Sequence, residues 1–126
     1  RTRMVVQYAL AFDLNLLVVG TDHASEAITG FFTKWGDGAV DITPLASLNK
    51  RQVRMLARYL GVPEKVITKA PTAGLWAGQT DEDELGISYE ANSDYLEGKD
   101  IDPAIREKLE QQYKKTEHKR SPIPGI

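Results

Sequence analysis

The 126-residue sequence contains no cysteine and only two histidines, His23 and His118. The absence of cysteine excludes a disulfide framework, a thiolate zinc site and a cysteine nucleophile. Two histidines are too few for a histidine-rich metal cage. Long apolar runs are missing too: the longest span a few residues, far below the ~18 that suggest a membrane span. No charged segment leads into an apolar one at the start, so no signal peptide is read there. One-signed charge is also lacking, since the net charge is −2. An extended basic face for generic nucleic-acid binding is therefore not supplied. The expectation is a soluble cytoplasmic protein with neither a membrane nor a nucleic-acid partner.

What is present supports a folded core. The chain is 41% hydrophobic and 27% charged, a balance typical of globular domains and unlike that of disordered ones. It opens at Arg1, and Met4 already lies in a patterned segment. Residues 1–126 are thus expected to form a single domain or the C-terminal portion of a longer one. Charge is unevenly spread: residues 1–70 carry nine Lys/Arg against six Asp/Glu, and residues 71–126 carry seven against twelve.

Met4, Val5, Tyr8, Ala9 and Phe12 recur at helical spacing and predict a helix packed on a core. The run Leu16–Val19, ending in Gly20-Thr21, suits a parallel strand buried on both faces. Helix, strand and Gly-Thr-Asp together read as an α/β unit. A helix can begin at Ala24, Trp35–Gly38 reads as a turn, and Val40–Ile42 as a brief strand stopped by Pro44. Asn49 caps a clear helix with Val53, Leu56, Ala57 and Leu60 inward and Gly61 just past its end. Residues 71–85 lose periodicity and read as a long loop, often a lid or binding element. Ser88–Glu97 is a short helix ended by Gly98. Asp102-Pro103 opens a last helix towards Lys119, with an inward stripe of Ile105, Leu109 and Tyr113. The Pro-containing tail from Ser121 is non-helical.

Ligands of open α/β sheets sit beyond the carboxyl ends of the strands, which points to Gly20-Thr21-Asp22-His23 and Glu26. A carboxylate one turn into that helix suits Mg²⁺ shared with a phosphate; a capped helix with surface acids reads the same way. His23 fits general acid–base work or a structural hydrogen bond. Lys34 and the turn at Asp37 can grip a polar substrate or lie free on the surface. Lys50, at a helix start, suits a phosphate, or a solvated basic face. Thr72 can bring a hydroxyl to the same phosphate. The basic residues after Glu117 complement a helix dipole or reach an acidic ligand.

As an ordered set, Arg1-Thr-Arg-Met, Gly20-Thr-Asp-His-Ala-Ser-Glu26, Ile28 to Gly38, Leu48-Asn-Lys-Arg-Gln52, Ala70-Pro-Thr-Ala73 and Glu117-His-Lys-Arg120 resemble ammonia-dependent NAD synthetases over essentially the whole chain. The resemblance implies an adenine-nucleotide hydrolase-like (Rossmann-like) α/β fold, a parallel sheet flanked by helices and incomplete in this chain, and a homodimer. It implies an activity in which ATP adenylates deamido-NAD, releasing pyrophosphate, and ammonia then displaces AMP. Carried over by position, Thr21, Lys50 and Thr72 would contact ATP, and Glu26 would bind Mg²⁺. Arg1, Lys34, Asp41, His118 and Lys119 would bind deamido-NAD, and Asp37 would hold ammonium or accept its proton. The family's Ser-Gly-Gly-x-Asp-Ser pyrophosphate loop does not occur in these residues, and Gly74 stands where an aspartate is common. Alternatives are a non-catalytic dinucleotide-binding or dimerisation fragment, and an ATP-pyrophosphatase amidating another acid.

Overall fold

The computed structural model describes residues 1–72, 74 and 76–125. Ala73 and Leu75, which fall in the expected lid, and Ile126 of the tail lie outside the described residues. Eight helices make up the described architecture: α1 (Thr2–Leu14), α2 (Ala24–Thr29), α3 (Lys50–Tyr59), α4 (Glu64–Ile67), α5 (Asp81–Leu85), α6 (Tyr89–Leu96), α7 (Pro103–Lys115) and α8 (Glu117–Arg120).

The helix boundaries follow local chemistry. Asn49 accepts from the Gln52 amide while Gln52 Oε1 accepts from the Asn49 amide, a reciprocal cap that starts α3. Ser88 and Asp102 cap α6 and α7 through the Ala91 and Ala104 amides. The last expected helix is shorter than predicted: α7 ends at Lys115, and Thr116 separates it from α8. The loop expected over 71–85 also contains α5, whose cap Thr80 accepts from the Asp83 amide.

The predicted parallel sheet is reduced, among the described residues, to one isolated parallel bridge between Val19 and Ile42. Around it, Gly20 N donates to Ile42 O at 2.8 Å and Asp41 N to Val18 O at 2.9 Å. The two segments approach so closely that a Cβ on Gly20 would meet the Val40 side chain. Of the apolar run, only Val18 is buried; Leu16 and Leu17 are exposed. The expected burial on both faces is therefore not found, because no second layer of these residues covers them.

Two expected helix faces need the same correction. In α1, Val5 and Phe12 are exposed and only Ala11 is buried. In α3 no residue is buried, and Leu56 and Leu60 lie in the open. The core instead gathers where α2 packs on α6 and α7. Leu109 of α7 is fully buried there, with Tyr89 of α6 and Ile87 nearly so; Tyr113, at the end of the predicted α7 stripe, remains half exposed.

Polar bonds then fix the two places that matter for a site. The start of α2 is tied to the start of α3: Ala24 N donates to Leu48 O and Lys50 N to Ser25 Oγ, at 2.9 and 3.0 Å. Arg51 clamps α3 to α6 through Glu90, Asp94 and Glu97, at 2.7, 2.9 and 2.8 Å. At the other end of α2, cations staple α8 across the chain. Lys119 Nζ donates to Gly30 O and Phe32 O, and Arg120 donates to Ala27 O and Tyr113 O.

Candidate active site

Where α2 and α3 begin, a cavity of ≈ 390 Å³ opens towards the 71–85 segment. Its wall includes Glu26, Lys50, Thr72 and Asp81, with Arg54 and Lys69 further along and an apolar floor that includes Val53 and Ile67. Three residues expected to serve ATP and metal, drawn from positions 26, 50 and 72, thus share one space. Thr72 is positioned by its own turn, its Oγ1 accepting from the Gly74 amide at 3.0 Å.

Glu26 is half buried, and one of its oxygens accepts from the His23 amide at 3.2 Å. Burial is the main reason its carboxyl is pushed up to about 7, with the negative charges of Asp22 and Asp37 adding and the His23 amide and Lys50 opposing. Burial and the Asp37 charge raise Asp22 in the same way. Near neutrality Glu26 is therefore only partly ionised, and this acidic corner favours a cation that would replace its proton.

His23 is buried at 3% exposure. Its Nε2 lies 3.3 Å from Lys50 Nζ and 3.3 Å from Glu26 Oε1, while Nδ1 is buried without a hydrogen-bond partner. Burial first, and then the Lys50 charge, push the imidazole down to about 4, so it is neutral at physiological pH. The Tyr89 ring closes the other side. It stands edge-on to His23 at 6.2 Å and beneath Lys50 Nζ at 5.2 Å. Its hydroxyl donates to Asp81 Oδ2 at 3.1 Å, and Asp81 N in turn donates to Pro71 O.

The other expected residues divide into separate groups. Lys34, His118 and Lys119 do come together: Lys34 Nζ donates to His118 O and Ser121 O at 2.7 and 2.8 Å. Both lysines are held by carbonyl oxygens, which orient an ammonium without neutralising its charge. Asp37 lies in the turn, accepting from the Thr33 amide at 2.9 Å, close enough to act electrostatically on Asp22 and Glu26. Asp41 is bound to the fold instead, accepting from Val18 N at 2.7 Å and from the Tyr8 hydroxyl at 3.4 Å. Arg1 is exposed ahead of α1, and Thr21 is exposed beyond the bridge, outside the cavity wall. Tyr89 and Asp81 were not signalled by the sequence. One lies in an ordinary helix and the other in an acidic run, and only folding carries them to Lys50 and Glu26.

The donor set can be tested for magnesium. Among the described residues no three His, Cys, Asp or Glu side chains form a cage. Magnesium characteristically takes one or two carboxylates and fills its remaining positions with phosphate oxygens and water. Glu26, an oxygen donor beside a lysine and a threonine on one cavity wall, fits that pattern.

A family model described as NAD synthase matches residues 1–123. The chain belongs to the NAD synthase family. The curated NH(3)-dependent NAD(+) synthetase of Shewanella oneidensis is 58% identical over 129 residues, spanning 100% of this chain and 47% of that protein. The synthetase of the same name from Shewanella frigidimarina is 55% identical, with the same coverage. This chain thus spans about half the length of the curated relatives it matches. Among solved structures, an NMN synthetase from Francisella tularensis superposes with a TM-score of 0.95 at 46% identity, over 99% of this chain and 52% of that one. An NAD+ synthetase from Burkholderia pseudomallei gives 0.74 at 50% identity, over 95% and 45%. These neighbours place the helices and the Val19–Ile42 bridge in the NAD synthase fold.

Proposed function

We propose that this chain supplies one wall of an ammonia-dependent NAD synthetase, which amidates deamido-NAD at the expense of ATP. The observation that carries the reading is the convergence of Glu26, Lys50 and Thr72 on one cavity, in a chain whose family is that of the synthases. The parallel sheet and the pyrophosphate-gripping loop would be completed by the remainder of the family domain. The exposed apolar residues of α1 and of Leu16–Val19 are then covered by that remainder or by the second protomer of a homodimer.

The chemistry follows from charge. A carboxylate oxygen of the acid attacks the α-phosphorus of ATP, forming an acyl adenylate while pyrophosphate leaves. Both reactants are anionic, so positive charge must be aimed at the phosphates beforehand. Lys50 offers that charge from the start of α3, where the helix amides reinforce it, and Thr72 offers a hydroxyl. Glu26 would hold Mg²⁺, which when bound screens the phosphate oxygens and polarises the phosphorus. Ammonia then attacks the acyl carbon, AMP departs, and the nitrogen loses a proton. Asp37 supports that stage as the acid that holds ammonium or takes its proton. Lys34, His118 and Lys119 would contact the dinucleotide, with Arg1 and Asp41 beyond them. The adenylate must be kept from water, and the 71–85 segment, whose Thr72 and Asp81 line the cavity, would cover it.

One observation favours a second reading. The 0.95 superposition is with the Francisella tularensis NMN synthetase; if this chain shares that activity, the acid would be the mononucleotide. The experiment is product analysis by mass spectrometry, using this chain joined to the rest of the family domain, with ATP, Mg²⁺ and ammonium. Amide formed faster from deamido-NAD supports the first reading, amide formed faster from nicotinate mononucleotide the second, and none from either overturns both.

A further inference from the structure

His23 is a buried titratable group in contact with two residues of the cavity wall, and the proposed reaction assigns it nothing. A histidine kept for the fold alone would be expected to spend its ring nitrogens on structural partners, since buried polar atoms are nearly always bonded. Here Nδ1 has no partner, and Nε2 meets only Lys50 Nζ and Glu26 Oε1, both at 3.3 Å. Both of those groups line the cavity. The ring itself cannot drift, because it is 3% exposed and stands edge-on to Tyr89.

We propose that His23 is a positioning residue: its neutral ring accepts from the Lys50 ammonium at Nε2, and with the Tyr89 ring it holds that ammonium at a fixed place on the cavity wall, beside a Glu26 carboxyl that is bonded to the His23 amide. A lysine has a flexible four-carbon stem and many rotamers. In this structure its ammonium is confined from two sides, by Nε2 at 3.3 Å and by the Tyr89 face at 5.2 Å. Tyr89 is in turn held by Asp81, whose own amide is bonded to Pro71 O beside Thr72. The phosphate-facing lysine, the carboxylate and the base of the 71–85 segment are thereby set relative to one another before any ligand arrives. Such preorganisation lowers the cost of gathering an anion and a cation at one place. His23 touches no substrate in this assignment and acts through Lys50 and Glu26.

The inference rests on the proposed synthetase reading for its kinetic consequence, and on geometry alone for its structural one, so both are measured. The variants are His23→Ala and the conservative His23→Gln, in this chain joined to the rest of the family domain. Acylation of lysines, followed by mass spectrometry, reads the positioning without any turnover. Lys50 should label several-fold faster in His23→Ala than in the parent, with the exposed Lys65 unchanged as a control. In kinetics, His23→Ala should raise KM for MgATP about 10-fold with a smaller change in kcat. His23→Gln should recover most of the loss, and His23→Ala should add little once Lys50→Ala is present, since coupled groups are non-additive. Unchanged Lys50 labelling in both variants overturns the proposal, as does a KM effect that simply multiplies with that of Lys50→Ala. If His23→Ala does not fold, His23→Leu, which keeps the bulk and removes the ring nitrogens, decides: Lys50 labelling several-fold faster than in the parent supports positioning, and parental labelling overturns it. A parent that amidates neither acid refutes the synthetase reading, and the labelling result still decides the role of His23.

Discussion

The Lys119 ammonium sits 2.7 Å from the Gly30 carbonyl oxygen, joining the last helix to the end of α2 across most of the chain. Its second acceptor is Phe32 O, so the lysine both closes the structure and leaves its positive charge uncancelled. Lys119→Met should therefore act twice. It should raise KM for the acid substrate about 10-fold while leaving that for MgATP within about 2-fold, and it should speed proteolytic cleavage after α7. An equal rise in both KM values would show that the residue serves the fold alone.

Gly30 has a left-handed backbone with φ of 64°, and a Cβ there would collide with the Thr116 side chain. Gly30→Ala should thus cost at least ~2 kcal/mol, combining backbone strain with overpacking. Gly98 has φ of 74° with nothing near the missing Cβ, so Gly98→Ala should cost only ~1 kcal/mol. Chemical denaturation of the two variants separates the contributions, and equal losses would contradict the packing argument.

These positions show what could be read before folding. Capping rules operate over a few residues, so the caps Asn49 and Asp102 and the stop at Gly98 were legible as sequence, whereas Ser88, read as the first residue of its helix, proves to be its cap. The faces were not. The spacing of Val5 and Phe12 says only that α1 has an apolar side, and both are exposed here, Phe12 at 91%. Apolar periodicity reports that a surface should be covered but not which residues cover it. The site divides likewise: Glu26, Lys50 and Thr72 were marked by resemblance and share a cavity, whereas Tyr89 and Asp81 have no local pattern and reach Lys50 only through the packing of α2, α3 and α6.

Arg51 binds Glu90 and Asp94 on α6 and Glu97 just past its end, and its hydrogen bonds help hold Asp94 below the usual carboxylate range, with Lys99 acting on Asp94 and Glu97 as well. Groups whose folded pKa is depressed contribute stability above their unfolded pKa and lose it as pH falls through the folded one. Thermal stability should therefore drop on acidification below about pH 4, and this dependence should weaken in Arg51→Met. High salt should narrow the gap between parent and variant at pH 7, since the network is exposed. Parallel pH curves for the two proteins would contradict the assignment.

Glu26 carries the opposite sign. Its folded value, about 7 against 4.5 in the ordinary range, means that stability present below about pH 4.5 is lost as pH rises towards 7. Glu26→Gln stays uncharged throughout, so it should be more stable than the parent at pH 8, by up to ~3 kcal/mol at 1.36 kcal/mol per unit. The advantage should fade towards pH 4.5. A constant difference across this range would show that ionisation of Glu26 costs the fold nothing.

The most direct measurement is acid-dependent release of pyrophosphate from MgATP by this chain joined to the rest of the family domain, with Glu26→Ala and Lys50→Ala beside the parent. If the shared cavity is the adenylating site, the parent releases pyrophosphate only when the acid is present. Each variant should then lose at least ~100-fold, the scale on which a preorganised charge contributes to such a step. Pyrophosphate release that persists at the parental rate in both variants would contradict the account.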